Sequence, residues 1–252
     1  MSLLTADGVT KRFAGITALN SVGIDVDNGE IVGLIGPNGA GKTTFFNCLL
    51  GLLKPDAGTI TFDGQDLTRV PTYRRARLGI GRTFQRIELF TGMTAREHFI
   101  VADRVRSGKG SLWRDLCFRG RPTGEERERA QQMLDLLNLG PVADRPVESL
   151  SLGVGRLVEI GRALMTRPRL LLLDEPSSGL DRAETAELAD TLRGVHRERK
   201  IAILLVEHDV ELVRSFVQRT YVLDFGTLIA AGATDDVFAD DAVRKAYLGD
   251  VV

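Results

Sequence analysis

The sequence contains little of what marks several protein classes. Its 252 residues include two cysteines, one tryptophan and three histidines, and the formal net charge is −1. Cys48 and Cys117 lie far apart and have no metal-site spacing, so the cysteines indicate neither a metal centre nor a disulfide. Because the charges balance, the chain lacks the general attraction to nucleic acid that a strongly basic protein has, and we expect no nucleic-acid partner.

Long apolar runs are also missing. The longest, Leu170–Leu173 and Ile201–Val206, are far too short to cross a bilayer. The stretch Met1–Phe13 carries charges and has no apolar core, so it does not resemble a secretion signal. Hydrophobic residues make up 43% and charged residues 27%, as in soluble globular proteins. We therefore expect a cytosolic protein, and any membrane process it serves would need spans from other chains.

What the sequence does contain is a glycine-rich segment between a predicted strand, Ile31–Ile35, and a predicted helix that reaches Leu53. The segment is Gly36-Pro37-Asn38-Gly39-Ala40-Gly41-Lys42-Thr43-Thr44. Strand, loop and helix in this order are typical of a phosphate-binding P-loop, since glycines let backbone N–H groups and the helix N-terminus face an anion. We predict that Lys42 reaches the β- and γ-phosphates and that the Thr43 hydroxyl is a ligand of Mg²⁺.

Two further apolar runs end in groups that can do chemistry. Leu170–Asp174 is followed by Glu175, and Ile201–Val206 is followed by Glu207-His208-Asp209. Apolar strands that alternate with helices predict a parallel sheet covered on both faces, with ligand chemistry at the carboxyl ends of its strands. The residues expected at that edge are Gly36, Asp174, Glu175 and His208.

Each of these side chains has a predicted role. Asp174 can hold Mg²⁺ through water. Glu175, the next residue, faces the other way and can polarise a water that attacks the γ-phosphate. His208 can bond the γ-phosphate. The other histidines, His98 and His196, lie on predicted helices, and we assign them no function.

The first 87 residues leave two alternatives open. Leu3–Phe13 and Val22–Val26 are predicted strands, with turns at Asp7-Gly8 and Asn28-Gly29. Phe13 either stacks on an adenine ring or packs in the core. The strand from Gly79 to Phe84 ends at Gln85. Gln85 either binds Mg²⁺ or orients a water, or it is a polar strand end that faces solvent.

The middle of the chain is predicted to be helical. One helix covers Thr94–Val105, with a capping box of Thr94 and Glu97, and another begins at Thr123. Between them lies a basic segment, residues 104–121. It is either a solvated loop packed on its own domain or a docking edge beside anionic lipid or a membrane partner.

The segment Leu150-Ser151-Leu152-Gly153-Val154, ahead of a predicted helix at Gly155–Thr166, completes a pattern that closely resembles the ATP-binding cassette (ABC) family. Ser151 and Gly153 match the family's Leu-Ser-Gly-Gly-Gln signature, whereas Leu152 replaces its first glycine and Val154 its glutamine. The resemblance covers essentially the whole chain. It implies an α/β P-loop NTPase fold with a RecA-like core of mostly parallel sheet (1–87 and 168–252), an antiparallel β subdomain and an inserted helical subdomain (about 88–167).

The resemblance also implies roles for individual residues. Gly36–Thr44 corresponds to Walker A, Leu170–Asp174 to Walker B, Glu175 to the catalytic glutamate and His208 to the switch histidine. The remaining matches are Gln85 as the Q-loop residue that binds Mg²⁺ and takes part in catalysis, Ser178–Asp181 as the D-loop with Asp181 near nucleotide, and Phe13 as the adenine-stacking aromatic.

In that family two cassettes close head-to-tail over two ATP molecules, so Ser151 and Gly153 would serve the ATP of a second subunit, either another copy or a paralogue. The resemblance implies ATP and Mg²⁺ as cofactors, integral membrane permease subunits as partners and, indirectly, a periplasmic or extracellular solute-binding protein. It implies a cytoplasmic protein bound peripherally to the inner face of the cell membrane.

Four segments look like the ATPases of branched-chain amino acid importers. They are Arg82–Gln85, Leu89–Thr94, Val158–Leu164 and Ala246–Gly249. Urea or amide importers and lipopolysaccharide-export ATPases share much of this pattern and stay open as alternatives. So do a soluble ABC ATPase without transport function and a poorly hydrolysing partner in a heterodimer.

Overall fold

A computed structural model describes residues 2–84, 87–107 and 121–248. The strands are β1 Ser2–Phe13, β2 Ile16–Asp27, β3 Ile31–Ile35, β4 Ala57–Phe62, β5 Gln65–Asp66, β6 Ile80–Arg82, β7 Leu170–Asp174, β8 Ala202–Val206, β9 Arg219–Asp224 and β10 Thr227–Ala233. The α-helices are α1 Lys42–Leu50, α2 Thr72–Arg77, α3 Ala95–Ser107, α4 Gly124–Leu136, α5 Leu152–Leu164, α6 Arg182–Arg199, α7 Val210–Phe216, α8 Thr234–Ala239 and α9 Asp241–Leu248. Two short 3₁₀ turns cover Gly140–Val142 and Val147–Ser149.

The strands form two sheets. In the smaller one, of order β2-β1-β4-β5, neighbouring strands are antiparallel. In the larger one, of order β10-β9-β3-β8-β7-β6, neighbours from β9 to β6 run parallel, and β10 returns antiparallel beside β9. Every residue of β3, β7 and β8 is buried, as expected for parallel strands covered on both faces. The predicted mostly parallel core and antiparallel β layer are confirmed.

The two faces of the larger sheet lie in two different hydrophobic cores. Side chains alternate along β8, so Leu204 faces the core that contains α1 and the smaller sheet, whereas Ile203 and Leu205 face the core that contains the helices. Phe45 of α1 is fully buried in the first core, and Phe99 of α3 is fully buried in the second. The sheet therefore joins the P-loop side of the molecule to its helical side.

The helical side begins as the sequence predicted. Glu97 accepts from the backbone N–H of Thr94, and the Thr94 hydroxyl accepts from that of Glu97, which is the predicted capping box. Thr123 caps α4 with Glu126 in the same reciprocal way. Residues 108–120 lie outside the described residues, so both hypotheses for the basic segment stay open. The limits of the helical subdomain also stay a prediction.

Several sequence expectations are wrong in detail. There is no turn at Asp7-Gly8, because β1 continues through it with a register shift between Ala6 and Val9. The signature helix begins at Leu152 rather than Gly155, since the Ser151 side chain caps it. The sequence predicts a single last helix at Asp235–Leu248, but a break at Asp240 divides it into α8 and α9.

The apolar spacing of Phe99, Val101 and Val105 predicts that all three face inward, but Val105 is 67% exposed. The buried face of α3 includes Phe99, Ile100 and Ala102. Within the described ranges, none of the helices has the length and apolar character needed to cross a membrane.

Candidate functional site

The P-loop joins β3 to α1 and is shaped by close backbone contacts. Gly36 has φ 153° and Gly41 φ 104°, in the region that favours glycine. A Cβ on Gly36 would lie 2.0 Å from the Leu223 carbonyl oxygen, and one on Gly41 would lie 2.6 Å from that of Ala18. Because β9 and β2 approach so closely, only glycine fits at these two positions. Asn38 and Gly39 at the tip of the loop are exposed.

Lys42 lies inside this loop. Its Nζ donates to the carbonyl oxygens of Gly36 at 2.7 Å and Pro37 at 3.1 Å, and the residue is only 5% exposed. Burial lowers the pKa of Lys42, and the nearby charges of Glu175, Asp174 and Glu207 oppose that shift. The ammonium group is therefore held in the loop beside a cluster of carboxylates.

Asp174 ends β7 and is 8% exposed. Its pKa is raised to about 6, mainly by burial and also by the negative charges of Glu175 and Glu207, against the opposing effect of Lys42. The next residue, Glu175, has φ 44°, an unfavourable conformation for a residue with a side chain. Its backbone N–H donates to the Val206 carbonyl at 2.9 Å, which holds this sharp turn against the end of β8.

His208 lies directly after β8. Its Nδ1 is 3.8 Å from Oε1 of Glu175, a close electrostatic contact that is too long for a hydrogen bond, and its side chain is 53% exposed. Asp209 caps α7 by accepting from the Leu212 N–H at 3.0 Å. The structure thus brings Gly36, Asp174, Glu175 and His208 together at one sheet edge, as the sequence predicted, and Lys42 lies with them.

Glu207 is a member of this cluster to which the sequence analysis assigned no role. It is completely buried, and its carboxylate accepts hydrogen bonds from Ser177, His208 and Asp209. One feature of the sequence could have pointed to Glu207: it is a carboxylate that directly precedes the candidate histidine at the end of an apolar run.

The signature segment lies at a different place, at the start of α5. The Ser151 Oγ accepts from the Val154 N–H at 3.4 Å, a long contact, and Ser151 is exposed. Leu152 is 45% exposed and lies over the loop that follows β7, because a Cβ on Gly179 would come within 2.9 Å of Leu152 Cδ2. The Asp181 carboxylate caps α6 by accepting from the Glu184 N–H.

A buried ion pair on α5 holds the backbone that leads toward Gln85. Arg156 and Glu159 are 2.9 Å apart. Glu159 accepts from the Phe84 N–H at 2.9 Å, and Arg156 donates to the Phe84 carbonyl at 3.0 Å. Burial raises the pKa of Glu159. Gln85 itself lies outside the described residues, so its predicted role stays a prediction.

Phe13 is 43% exposed at the end of the β1–β2 hairpin, and Lys11 Nζ lies 5.4 Å from the centre of its ring. It is not a core residue, which favours adenine stacking over the packing alternative. His98 is buried, and its ring bonds the Phe90 N–H and the Thr94 carbonyl. His196 bonds the Gly29 carbonyl. Both of these histidines therefore have structural contacts.

The donor set suits a divalent cation held together with phosphate. Asp174 and Glu175 are carboxylates crowded into one buried corner, and the Thr43 hydroxyl is exposed at the start of α1. No group of three or more His, Cys, Asp and Glu side chains in the described ranges could bind a metal unaided. Mg²⁺ commonly takes only one or two protein ligands and completes its shell with water and substrate phosphate. The residues therefore fit Mg²⁺ bound with a nucleotide.

The site combines a glycine-rich loop enclosed by β2 and β9, a buried lysine and carboxylates at strand ends. These features define a P-loop nucleotide-binding protein. Comparison with known proteins narrows this class. The family model described as ABC transporter matches residues 19–178. The chain is 39% identical to the high-affinity branched-chain amino acid transport ATP-binding protein BraF of Pseudomonas aeruginosa and 40% identical to LivG of Escherichia coli, covering 98% of each chain.

Other relatives agree with this narrower class. The lipopolysaccharide export system ATP-binding protein LptB of Haemophilus influenzae is 34% identical, over 99% of this chain and 98% of the relative. A solved ATP-binding cassette of an ABC transporter, MJ1267, has a TM-score of 0.87 and 31% identity over 99% of this chain and all of its own. The chain belongs to the ABC transporter family and is an ATP-binding, ATP-hydrolysing component of such a transporter.

Proposed function

We propose that the chain is the ATPase subunit of a multi-chain ABC importer for branched-chain or similar hydrophobic amino acids. The relatives named BraF and LivG carry this proposal, because they match at 39–40% identity along almost their full length. Its membrane-spanning permease subunits would be separate chains, and the protein would act at the inner face of the cell membrane. A solute-binding protein outside the membrane would be an indirect partner.

The chain's own residues supply the chemistry of hydrolysis. The P-loop amides and Lys42 bind the phosphates of ATP, and Phe13 stacks on the adenine. Thr43, Asp174 and Gln85 would hold Mg²⁺, which neutralises charge on the phosphates when it is bound. Glu175 accepts a proton from the attacking water, whose oxygen bonds to the γ-phosphorus while the bond to the bridging oxygen breaks. ADP leaves with that electron pair, and His208 bonds the γ-phosphate oxygens.

The exposed signature segment supports head-to-tail pairing. Ser151 and Leu152 face solvent at a helix N-terminus, which is a favourable site for phosphate. In the proposed dimer, Ser151 and the amides near Gly153 contact the ATP bound by a second copy or a paralogue, and Asp181 lies near the shared interface. ATP binding then closes the dimer, and hydrolysis releases it.

The test is purification of the tagged chain from native membranes with the proteins bound to it, followed by reconstitution into vesicles. Integral membrane subunits are expected to accompany it, and leucine, isoleucine or valine with the matching binding protein should stimulate its ATPase activity. Stimulation by urea or an amide instead would reassign the solute. Purification without a membrane chain would reject the transport proposal.

Export of lipopolysaccharide is the second candidate, supported by LptB relatives that are 34–37% identical. The same purification separates the two. Export predicts that lipopolysaccharide accompanies the complex, whereas import predicts stimulation by a soluble amino acid.

A further inference from the structure

The buried carboxylate of Glu207 links two loops of the site. Its Oε1 accepts from the Ser177 N–H at 2.9 Å and from the Ser177 hydroxyl at 2.6 Å. Its Oε2 accepts from the N–H groups of His208 at 3.0 Å and Asp209 at 3.3 Å. One oxygen therefore holds the loop that follows β7, and the other holds the loop that follows β8.

Both loops carry a proposed catalytic side chain. Ser177 lies two residues after Glu175, and the residue between them is Pro176, whose ring fixes φ. Glu175 itself has the unfavourable φ of 44°. Because Pro176 restricts the backbone between them, fixing Ser177 also restricts the position of Glu175, the proposed general base. The hydrogen bonds between Ser177 and Glu207 therefore help to hold the strained turn at Glu175.

On the other side, His208 is flanked by two anchored residues. Glu207 is 0% exposed, and Asp209 is fixed as the cap of α7. The backbone of His208 is thus immobilised while its ring is 53% exposed and faces Glu175 across 3.8 Å. Since both loops hold the same carboxylate, the distance between the two side chains depends on Glu207.

We propose that Glu207 is a positioning residue that sets the geometry of the Glu175–His208 pair. In this role it acts through the backbone of the two loops and through the His208 ring, whose Nδ1 lies 3.8 Å from Oε2 of Glu207. The inference rests on the proposed roles of Glu175 and His208 in ATP hydrolysis.

The chemistry of a carboxylate explains why glutamine cannot replace it. A carboxylate accepts at both oxygens, whereas an amide accepts at one position and donates at the other. If the NH₂ group of glutamine faced His208 and Asp209, both of their N–H bonds would be lost. If it faced Ser177, the bond from the backbone N–H would be lost, although the Ser177 hydroxyl can turn and accept from the amide. Unpaired buried donors cost about 1–3 kcal/mol each. Glu207→Gln should therefore release one loop while it keeps the shape of the side chain.

The test measures two quantities for each of four variants. ATPase kinetics are measured in the transporter complex, and the melting temperature is measured on the isolated variant chain. Glu207→Gln should lower kcat at least about 10-fold while the KM for ATP changes less than about twofold. Glu207→Asp should recover part of the loss, because the charge and both acceptors return. Ser177→Ala, which removes only the hydroxyl donor and leaves the charge, should lower kcat about two- to fivefold.

The control is Asp103→Asn, which removes a buried carboxylate paired with Arg106 and Arg129 on the helical side. It should lower the melting temperature without a selective loss of kcat. Wild-type kcat in Glu207→Gln would overturn the inference, as would an increase in KM at unchanged kcat, which indicates that the charge acts on nucleotide binding. If Glu207→Gln does not fold, Ser177→Ala decides, and wild-type kcat in that variant overturns the inference. An inactive wild-type complex would instead reject the proposed function.

Discussion

The P-loop and the signature segment both lead into helix N-termini, yet they differ in what surrounds them. Gly41 precedes α1 without a side-chain cap in the described structure, and β2 and β9 enclose the loop. Ser151 precedes α5, caps it at 3.4 Å and faces solvent. The P-loop is thus enclosed by strands of its own chain, whereas the polar N-terminus of α5 is uncovered. The difference supports a site that a second molecule completes.

The strongest test of this comparison is Glu175→Gln. Removal of the proposed general base should lower ATP turnover about 10²–10⁴-fold while the P-loop still binds ATP. Because bound ATP then persists, the P-loop of one molecule and the signature segment of the other should stay together in an ATP-dependent dimer. Steady-state ATPase assays and size-exclusion chromatography with Mg²⁺–ATP measure both effects. Glu187→Gln, at an exposed carboxylate of α6, is the matched control, and normal turnover in Glu175→Gln would remove that residue from its role.

Lys42→Ala tests the P-loop alone. Loss of a buried charge that pairs with phosphate should weaken ATP binding by about 2–4 kcal/mol, roughly 100-fold. Fluorescent-nucleotide titration measures the affinity, and Lys54→Ala, at the exposed lysine after α1, should bind normally. Equal affinities in the two variants would contradict the P-loop assignment.

Gly36→Ala and Gly39→Ala test how tightly the loop is enclosed. The new methyl at Gly36 would collide with the Leu223 carbonyl oxygen at 2.0 Å, whereas nothing lies within 4 Å at Gly39. Both residues have positive φ, so both variants carry a strain of about 1 kcal/mol. We expect Gly36→Ala to lose about 3 kcal/mol or more of unfolding free energy, and Gly39→Ala about 1 kcal/mol. Urea unfolding measures the unfolding free energy of both variants. Equal losses would show that the β9 backbone at Leu223 can move away from the new methyl group.

Asp174 predicts a pH dependence at the same edge. The pKa is about 6 in the folded chain and 3.8 for a free aspartate, so the folded state binds the proton more tightly. The contribution of this group to stability is therefore greatest at low pH and is lost as the pH rises from about 4 to about 6, by up to about 2–3 kcal/mol.

Asp174→Asn should remove that slope, so the variant gains stability relative to wild type between pH 4.5 and 7.5. Urea unfolding without nucleotide or divalent cation measures the difference. With Mg²⁺–ATP present at pH 7.5, the wild-type protein should be the more stable of the two, because the variant lacks the carboxylate that we propose holds the cation. A pH-independent difference would disprove the raised pKa.

The smallest effect separates the two roles of Ser151. Ser151→Ala removes a long cap bond and should cost about 0.5 kcal/mol of stability, whereas Thr123→Ala breaks a full capping box on α4 and should cost about 1 kcal/mol. ATP turnover should fall in Ser151→Ala and stay unchanged in Thr123→Ala, since only the Ser151 hydroxyl is proposed to face the ATP of a second subunit. Thermal melts and ATPase assays give the two orders, and parallel losses would indicate that Ser151 is only a helix cap.

Much of the fold was predictable because local chemistry and tertiary structure agree. Apolar runs became β3, β7 and β8, and the capping boxes at Thr94 and Thr123 mark the starts of α3 and α4. The errors lie where a distant partner overrides a local signal. Asp7-Gly8 favours a turn, but pairing with β2 on one side and β4 on the other carries β1 through these residues as an irregularity in the strand, at which Gly8 has φ 60°.

The sequence by itself determined the P-loop, the strand-end carboxylates and the family, because glycine spacing, apolar runs and motif order are properties of the chain. Only the tertiary structure decided that Glu207 joins two loops and that the Arg156–Glu159 pair holds Phe84. Such buried polar contacts unite residues far apart in sequence, here 30 residues between Ser177 and Glu207. Their donors and acceptors must be paired where water is excluded, and no local pattern encodes which partner will be near.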